Sequence, residues 1–243
     1  MFGDDDAVEF GPGLTASNIS FVRNGDDLVI RIVGTTDELT IAGEFDNYIG
    51  YTNRDIERFV FADGTVITKA EVMASLTVGT SGNDVIEGFF TNDTLIGGTG
   101  DDTLYGRDGS DRYLFNLGDG HDTISESVEF VNLVDNDRIV FGAGIAPSDI
   151  VLSRSDNALT LAINGTNDSV TITAQYAFAN GFTWNDVEYV EFANGTVWSK
   201  RDMANMLMGG TPGNDTIVGT FQNDNIVNGG RIPGQWGGVK AGH

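Results

Sequence analysis

Two patterns of apolar and polar positions follow one another along the chain, and both predict β-structure. In the first, apolar residues alternate with polar ones around short turns, as in ISFVRNGDDLVIRIV (19–33), where two β-rich runs flank Asn24-Gly25 and indicate a hairpin. In the second, which begins at Gly79, one large apolar residue returns every nine residues between glycine-rich polar stretches. One inward residue with polar neighbours predicts a strand of three residues.

The alternating pattern occurs twice, at an offset of 131 residues. DDDAVEFGPGLTASNI (4–19) aligns with DNDRIVFGAGIAPSDI (135–150), and GTSGNDVIEGFFTND (79–93) aligns with GTPGNDTIVGTFQND (210–224). A duplicated unit therefore consists of a β-rich module followed by nonapeptides. The predicted segments are a first module (4–78), a nonapeptide coil with five loops (79–126), a second module that caps the coil (135–209), the start of a second array (210–230) and a tail of foreign or disordered character (231–243). We expect the sequence to be part of a larger protein.

Each module is predicted to end in a short helix. TKAEVMASL and SKRDMANML follow the N-cap residues Thr68 and Ser199, with Glu71 and Asp202 three positions later as capping partners. The alternating apolar positions predict the module cores, and they include Leu28, Ile30, Ile32, Leu159, Leu161 and Ile163. The predicted fold class is all-β.

The nonapeptide has the form Gly-Gly-x-Gly-x-Asp-x-U-x, where U is large and apolar, and its best copy is GGTGDDTLY (97–105). Two nonapeptides are expected to form one turn of a flattened parallel coil, eighteen residues around. Loops two repeats apart then stack on the same edge, so that Asp84 lies over Asp102 and Asp93 lies over Asp111. The predicted inward residues are Ile86, Leu95, Leu104, Tyr113, Ile217 and Ile226.

Stacked carboxylates with backbone carbonyls around them predict a binding site for a hard cation. Six to eight oxygen ligands suit Ca²⁺ better than Mg²⁺, which demands a small octahedron and keeps its waters. Zinc prefers nitrogen and sulfur ligands, whereas this chain has two histidines and no cysteine. The formal charge of −23 also makes nucleic acid and anionic membranes improbable partners.

The nonapeptide resembles the RTX, or haemolysin-type calcium-binding, repeat of secreted bacterial proteins. The modules resemble the calcium-binding-related domain that accompanies such repeats, through YLFNLGDGHDTI (113–124), DRIVFGAGI (137–145) and VEFANGTVW (190–198). The resemblance implies a parallel β-roll that binds about two to four Ca²⁺ ions. Asp119 and Asp122 are expected to close the last cage over Asp102, whereas His121 is expected to face solvent. The site between Asp93 and Asp111 is expected to be weaker, because GFFTND (88–93) lacks two of the glycines.

The ligand positions that the resemblance implies are the sixth-position acids and the carbonyl-bearing residues around them. They are Gly79, Ser81, Asn83, Asp84, Gly88, Asn92, Asp93, Gly97, Thr99, Asp101, Asp102, Gly106, Asp108, Ser110, Asp111, Asp119, Asp122, Asp215 and Asp224.

The resemblance also implies a route for the protein. Such proteins pass through a type I secretion channel unfolded and fold outside the cell, where Ca²⁺ is millimolar. The sequence agrees with this, because it has no cysteines, no secretory signal pattern at its start and no apolar run long enough to span a bilayer. We therefore expect a secreted, calcium-folded scaffold that neighbours other domains of a larger protein.

The sequence also bears on two other functions. An enzyme is not expected, because HExxH, GxSxG, a phosphate-binding glycine loop with lysine and EF-hand spacing are all missing from the sequence. A calcium-dependent adhesin or carbohydrate-binding module is the alternative, since aromatic residues gather in matching mid-module loops and exposed aromatics can stack on a glycan. The loop residues singled out as ligand-binding aromatics are Tyr51, Phe182 and Trp184.

Overall fold

The computed structural model describes residues 5–46, 55–126, 135–176 and 186–208. These residues form seventeen short strands, two short α-helices and two single turns of 3₁₀ helix. The predicted all-β class is confirmed, and the strands fall into two separate small sheets and two larger ones.

The first module contains the two small sheets. Its hairpin turns one residue later than the sequence suggested, because Asn24 pairs with Asp27 and leaves Gly25 and Asp26 at the turn. Gly25 has a φ of 63°, a conformation that glycine adopts without strain. One sheet has the order β2-β3-β4 and is antiparallel, and the other has the order β1-β5-β6 with β1 and β5 parallel. The elements are β1 (Ala7–Glu9), β2 (Ile19–Asn24), β3 (Asp27–Ile32), β4 (Glu38–Ile41), β5 (Arg58–Val60), β6 (Val66–Thr68) and α1 (Lys69–Leu76).

The nonapeptides form a parallel roll with strands on two opposite sheets. Ile86 pairs with Leu104, and Leu95 pairs with Tyr113, so the first two strands each lie beside the strand eighteen positions further on. Leu104 pairs with Ile124, which is twenty positions further on. The predicted coil of two nonapeptides per turn is confirmed. The strands are β7 (Val85–Glu87), β8 (Thr94–Ile96), β9 (Thr103–Tyr105), β10 (Arg112–Phe115) and β11 (His121–Ile124).

The second module continues the sheets of the roll. β10 pairs in parallel with β12, and β11 pairs in parallel with β15, so that the larger sheets have the orders β8-β10-β12-β16-β17 and β7-β9-β11-β15-β14-β13. The elements are β12 (Arg138–Phe141), β13 (Ile150–Ser155), β14 (Ala158–Ile163), β15 (Ser169–Ile172), β16 (Tyr189–Phe192), β17 (Val197–Ser199) and α2 (Lys200–Met208).

Both helices have the predicted reciprocal caps. The amide of Thr68 donates to Glu71 Oε2 at 2.8 Å, and the amide of Glu71 donates back to Thr68 Oγ1 at 3.3 Å. In the second module, the Ser199 amide donates to Asp202 Oδ2 at 2.9 Å, and the Asp202 amide donates back to Ser199 Oγ at 3.2 Å. Each helix therefore begins where the sequence placed it.

The apolar residues that the structure describes form two cores of unequal size. The first module has its own core, which includes the predicted Leu28 and Ile30, with Ile32 half-buried against it. The roll and the second module share one continuous core. Its members include the predicted inward residues Ile86, Leu95, Leu104 and Tyr113 of the roll and Leu159, Leu161 and Ile163 of the second module. The two copies of the unit thus differ in what they pack against.

The first module contacts the roll through a phenylalanine that replaces a repeat glycine. Phe89 is buried in the core of the first module, 4.9 Å from the Phe45 ring centroid. The Arg23 guanidinium lies 4.7 Å from the Phe89 ring and donates to the carbonyls of Glu87 at 2.9 Å and Gly88 at 2.6 Å. The irregular repeat GFFTND therefore serves as the contact surface for the module in front of it.

Candidate metal sites along the roll

The sixth-position aspartates on one edge of the roll form a stacked column. The amide of Asp84 donates to Asp102 Oδ1 at 2.8 Å, and the amide of Asp102 donates to Asp122 Oδ1 at 3.1 Å. Each carboxylate thus uses one oxygen to bind the backbone of the preceding turn. The predicted stacking of Asp84, Asp102 and Asp122 is what the structure shows.

The opposite edge carries a second column that extends into the second module. The amide of Asp93 donates to Asp111 Oδ1 at 2.8 Å, and the amide of Asp111 donates to Asp137 Oδ1 at 2.8 Å. The amide of Asp137 in turn donates to Glu188 Oε2 at 2.7 Å. The repeat pattern does not identify Asp137 or Glu188. Asp137 nevertheless directly precedes a strand, as Asp93 and Asp111 of the same column do.

The second oxygens of three of these carboxylates lack a protein partner. Oδ2 of Asp102, Asp111 and Asp122 is buried, and the described residues offer it no hydrogen bond. Burial raises the pKa of Asp111 to about 9 and that of Asp122 to about 7, with neighbouring carboxylates adding to both shifts. A buried anion without a partner is costly, so these oxygens are in position to bind a cation.

The first turn of the roll differs, because the protein itself binds its carboxylates. Asp84 Oδ2 accepts from the Thr80 amide at 2.6 Å and from Thr80 Oγ1 at 2.8 Å, and these bonds lower its pKa. Asp93 Oδ2 accepts from the Phe89 amide at 2.6 Å. Within the described residues, the buried carboxylate oxygens without a hydrogen-bond partner therefore lie at the later turns.

Glycines line the carboxylates, which explains the first glycine of the repeat. A Cβ atom at Gly79 would lie 3.0 Å from Asp84 Oδ2, and one at Gly88 would lie 3.0 Å from Asp93 Oδ2. At Gly97 a Cβ would lie 3.0 Å from Asp102 Cγ, and at Gly106 it would lie 2.5 Å from Asp111 Oδ2. Any side chain at these positions would fill the space in front of the carboxylate oxygen.

The residues before the aspartates keep the loops in register through their side chains. The Asp101 amide donates to Asn83 Oδ1 at 3.0 Å, and the Ser110 amide donates to Asn92 Oδ1 at 2.8 Å. Thr99 Oγ1 lies 3.4 Å from the Ser81 carbonyl. The fifth-position residues thus fix how far apart successive loops lie. The backbone carbonyls of the loop residues named from the sequence, including that of the buried Asp108, remain predicted ligands.

Asp119 is not stacked on Asp102 as Asp122 is. Its Oδ2 accepts from the Asn116 amide of its own loop at 2.7 Å, while its carbonyl accepts from the Gly100 amide at 2.8 Å. Burial raises the pKa of Asp119, and Asp168 and Asp102 add to the shift. Asp122 occupies the column, and Asp119 closes the loop beside it.

A cluster of three buried carboxylates lies where the roll meets the second module. Oxygens of Asp111, Glu126 and Asp137 lie within 4.8 Å of one another, and the Tyr113 hydroxyl donates to Glu126 Oε1. Burial raises the pKa of Glu126, and Asp137 adds to the shift. Four positions beyond Asp122, Glu126 occupies the place that glycine holds in earlier repeats. This spacing could have identified it from the sequence.

The remaining predicted site residues are distributed as follows. His121 is exposed, with Nδ1 2.9 Å from Ser169 Oγ, which agrees with a solvent-facing position rather than a ligand. Asp215 and Asp224 lie outside the described residues, and so do the aromatics Tyr51, Phe182 and Trp184.

The possible metal ligands in the two columns are carboxylate oxygens. Glycines line these oxygens, and backbone carbonyls lie close to them. Within the described residues no histidine joins the columns, and the chain has no cysteine. Such an all-oxygen set fits Ca²⁺, because this ion accepts six to eight oxygens in irregular geometry.

Comparison with known protein families gives two matches. The model described as haemolysin-type calcium binding protein related domain matches residues 27–71 and 159–202. The model described as RTX calcium-binding nonapeptide repeat (4 copies) matches residues 88–124 and 209–230. No curated protein sequence matches the chain.

One solved structure similar to the chain is the extracellular lipase LipA from Serratia marcescens. The two share 18% sequence identity with a TM-score of 0.27, over 74% of this chain and 31% of the lipase chain. The chain therefore spans about a third of that protein's length. No described helix has the length and apolar character needed to cross a membrane.

Proposed function

The chain contains RTX calcium-binding nonapeptide repeats and two haemolysin-type calcium-binding-related domains, and from this we propose that it is a scaffold that folds when it binds Ca²⁺ outside the cell. The observation that supports the proposal is the set of buried, unpartnered Oδ2 atoms of Asp102, Asp111 and Asp122. Bound Ca²⁺ supplies the positive charge that these stacked carboxylates require.

We assign the ions to the two aspartate columns. Asp102 and Asp122 hold one site, and Asp111 and Asp137 hold another, with Glu126 as an additional carboxylate. The ends at Asp84 and Asp93 bind more weakly, because Thr80 and Phe89 already donate to them. About two to four ions bind in total, and the full set includes the carbonyl-bearing residues named from the sequence.

The energy of binding is large enough to control folding. Extracellular calcium modules have dissociation constants of about 0.1–1 mM. At about 1 mM Ca²⁺ and a dissociation constant of about 0.1 mM, each site adds about 1.4 kcal/mol to the free energy of unfolding. Two to four sites give about 3–6 kcal/mol, which approaches the net stability of a domain. At the low Ca²⁺ of a bacterial cytosol, the roll would stay unfolded and fit a type I secretion channel.

This role requires no catalysis by the chain itself. RTX repeat domains are generally non-catalytic, and we propose that any enzymatic activity belongs to neighbouring domains of a larger protein. The repeats are extended structures with exposed edges, so the second module serves the roll as a cap by continuing both of its sheets.

Calcium titration of protein treated with EDTA tests the proposal. Far-UV circular dichroism should show a cooperative gain of β signal at or below about 1 mM Ca²⁺, whereas Mg²⁺ at equal ionic strength should leave the spectrum unchanged. Asp102→Asn and Asp111→Asn should each shift the transition to higher Ca²⁺, and the exposed Asp37→Asn should not. A spectrum that is already folded in EDTA and does not respond to Ca²⁺ would refute the proposal.

A further inference from the structure

The internal duplication relates two strands of the first module to the two strands of the second module that contact the roll. In the second module, β12 and β15 receive the last turn of the roll, β10 and β11. Their equivalents at the offset of 131 residues are β1 and β4. Both β1 and β4 are edge strands of their sheets in the described part of the chain.

Residues of the first module are more exposed than their equivalents in the second module, as expected if the first module lacks a roll on this side. Val170 on β15 is 1% exposed beneath the roll, whereas its equivalent Leu39 on β4 is 48% exposed. Asp137 is buried where Asp111 donates to it, and its equivalent Asp6 is exposed. The position that belongs to the core in the second module is therefore exposed in the first module.

The hydrogen bond made by the Asp6 amide in the first module matches the one made by the Asp137 amide in the second module. The amide of Asp6 donates to Glu57 Oε2 at 2.8 Å, as the amide of Asp137 donates to Glu188 Oε2 at 2.7 Å. The Asp6 backbone is thereby held directly before β1, as the Asp137 backbone is held directly before β12. An additional roll would extend its aspartate column onto Asp6.

Gly11 has no side chain at the position where the equivalent Gly142 contacts the roll in the second module. In the second module, the Gly142 amide donates to the Phe115 carbonyl at 2.9 Å, and a Cβ at Gly142 would collide with Asn116 Oδ1. Among the described residues, no atom lies within 4 Å of the Cβ position of the equivalent Gly11, and its φ is not in the positive range that would demand glycine. Local geometry thus does not explain glycine at this position, whereas a docked strand would.

We propose that the face formed by β1 and β4 of the first module is a docking surface for the last turn of a calcium-loaded RTX roll joined directly in front of it. The chain would then alternate rolls and modules, each module receiving one roll on one face and starting the next roll from the other. This goes beyond calcium binding, because it assigns the first module a partner.

The alignment of the two copies shows where an added roll has to be joined to the first module. Asp4 is equivalent to Asp135, so a second copy of residues 79–134 placed directly in front of Asp4 of the full chain reproduces the native connection. In Ca²⁺, hydrogen exchange measured by mass spectrometry should slow by at least about tenfold in residues 6–11 and 38–42, relative to the parent chain. Equal exchange in the two proteins would overturn the proposal.

Gly11→Val provides the matched control. In the parent chain it should leave thermal stability and exchange unchanged, because nothing lies near its Cβ. In the extended chain it should abolish the added protection, since the side chain would occupy the place of the docked strand. Protection that survives Gly11→Val would contradict the proposed register.

Two other outcomes also count against the proposal. An added roll that binds no extra Ca²⁺ and stays unfolded would show that the first module does not support a roll as the second module does. Calcium-dependent association of the parent chain, seen by light scattering and lost in Gly11→Val, would assign the face to a second copy of the chain instead.

Discussion

At the scale of single residues, the position of Glu126 decides how strongly the last turn depends on the cation. Glu126→Gln removes one of three clustered carboxylates while keeping the side-chain volume. The free energy of unfolding in EDTA should rise by about 1 kcal/mol, because the cost of burying an ionisable carboxyl group disappears. The midpoint of the calcium titration should rise at least about tenfold, since fewer charged ligands mean weaker binding. The exposed Glu9→Gln is the charge-matched control, and a Glu126→Gln titration that coincides with it would remove Glu126 from the site.

The first glycine of a repeat is the second residue that can be tested by itself. Gly97→Ala places a methyl group against the Asp102 carboxylate, which has little freedom to move because its Oδ1 binds Asp84. We expect a loss of about 1–3 kcal/mol in the free energy of unfolding in Ca²⁺. Gly82→Ala is the control, since the nearest atom to its Cβ is Thr80 Oγ1 at 4.0 Å. Chemical denaturation measures both, and equal stabilities would show that this glycine is not required for the site.

The sequence predicted the stacked aspartates but not all members of the columns. Nine-residue periodicity identifies Asp84, Asp102 and Asp111 because their spacing alone places them on the same edges. Asp137 and Glu188 lie in segments without that period, and a β-sheet that spans both segments brings them to the column. Long-range strand pairing of this kind leaves no periodic trace in the sequence.

At the scale of elements, the β2–β3 hairpin and its duplicate β13–β14 show how duplicated segments of different sequence make different contacts. Arg23 and Arg154 each donate through Nε to the carbonyl two residues on, at 2.8 Å. Beyond this shared bond, the Arg23 guanidinium reaches the carbonyls of the roll, whereas that of Arg154 lies 4.6 Å from the Tyr176 ring centroid. The sequence predicted the β2–β3 hairpin, and the duplication relates β13–β14 to it, but the alternating pattern does not show which neighbour each hairpin contacts.

The contact between the first module and the roll makes Arg23→Met a specific test. Loss of two charged hydrogen bonds to Glu87 and Gly88 should lower the free energy of unfolding of the first module by about 1.5–3 kcal/mol. Arg31→Met is the control, because Arg31 is exposed and lies 3.4 Å from the equally exposed Glu38. Thermal unfolding in Ca²⁺ compares the two, and an Arg23 variant as stable as the Arg31 variant would show that the contact does not hold the module.

At the scale of the whole molecule, the two modules should respond differently to the removal of calcium. The second module shares both its sheets and its core with the roll, whereas the first module has separate sheets and a separate core. Loss of Ca²⁺ from the roll should therefore destabilise β12 and β15 along with β10 and β11, because their backbone hydrogen bonds are made to each other. The hairpin β2–β3 has no strand of the roll as a partner in the described residues.

Hydrogen exchange measured in EDTA and in Ca²⁺ compares the responses of the two modules within the same protein. Peptides from 138–141 and 169–172 should lose protection together with those of the roll, as members of one cooperative unit. Peptides from 19–32 should keep most of theirs, which makes the first module an internal control for the second. Uniform loss of protection across both modules would show that the Phe89 and Arg23 contacts couple the first module to the roll as tightly as shared sheets couple the second.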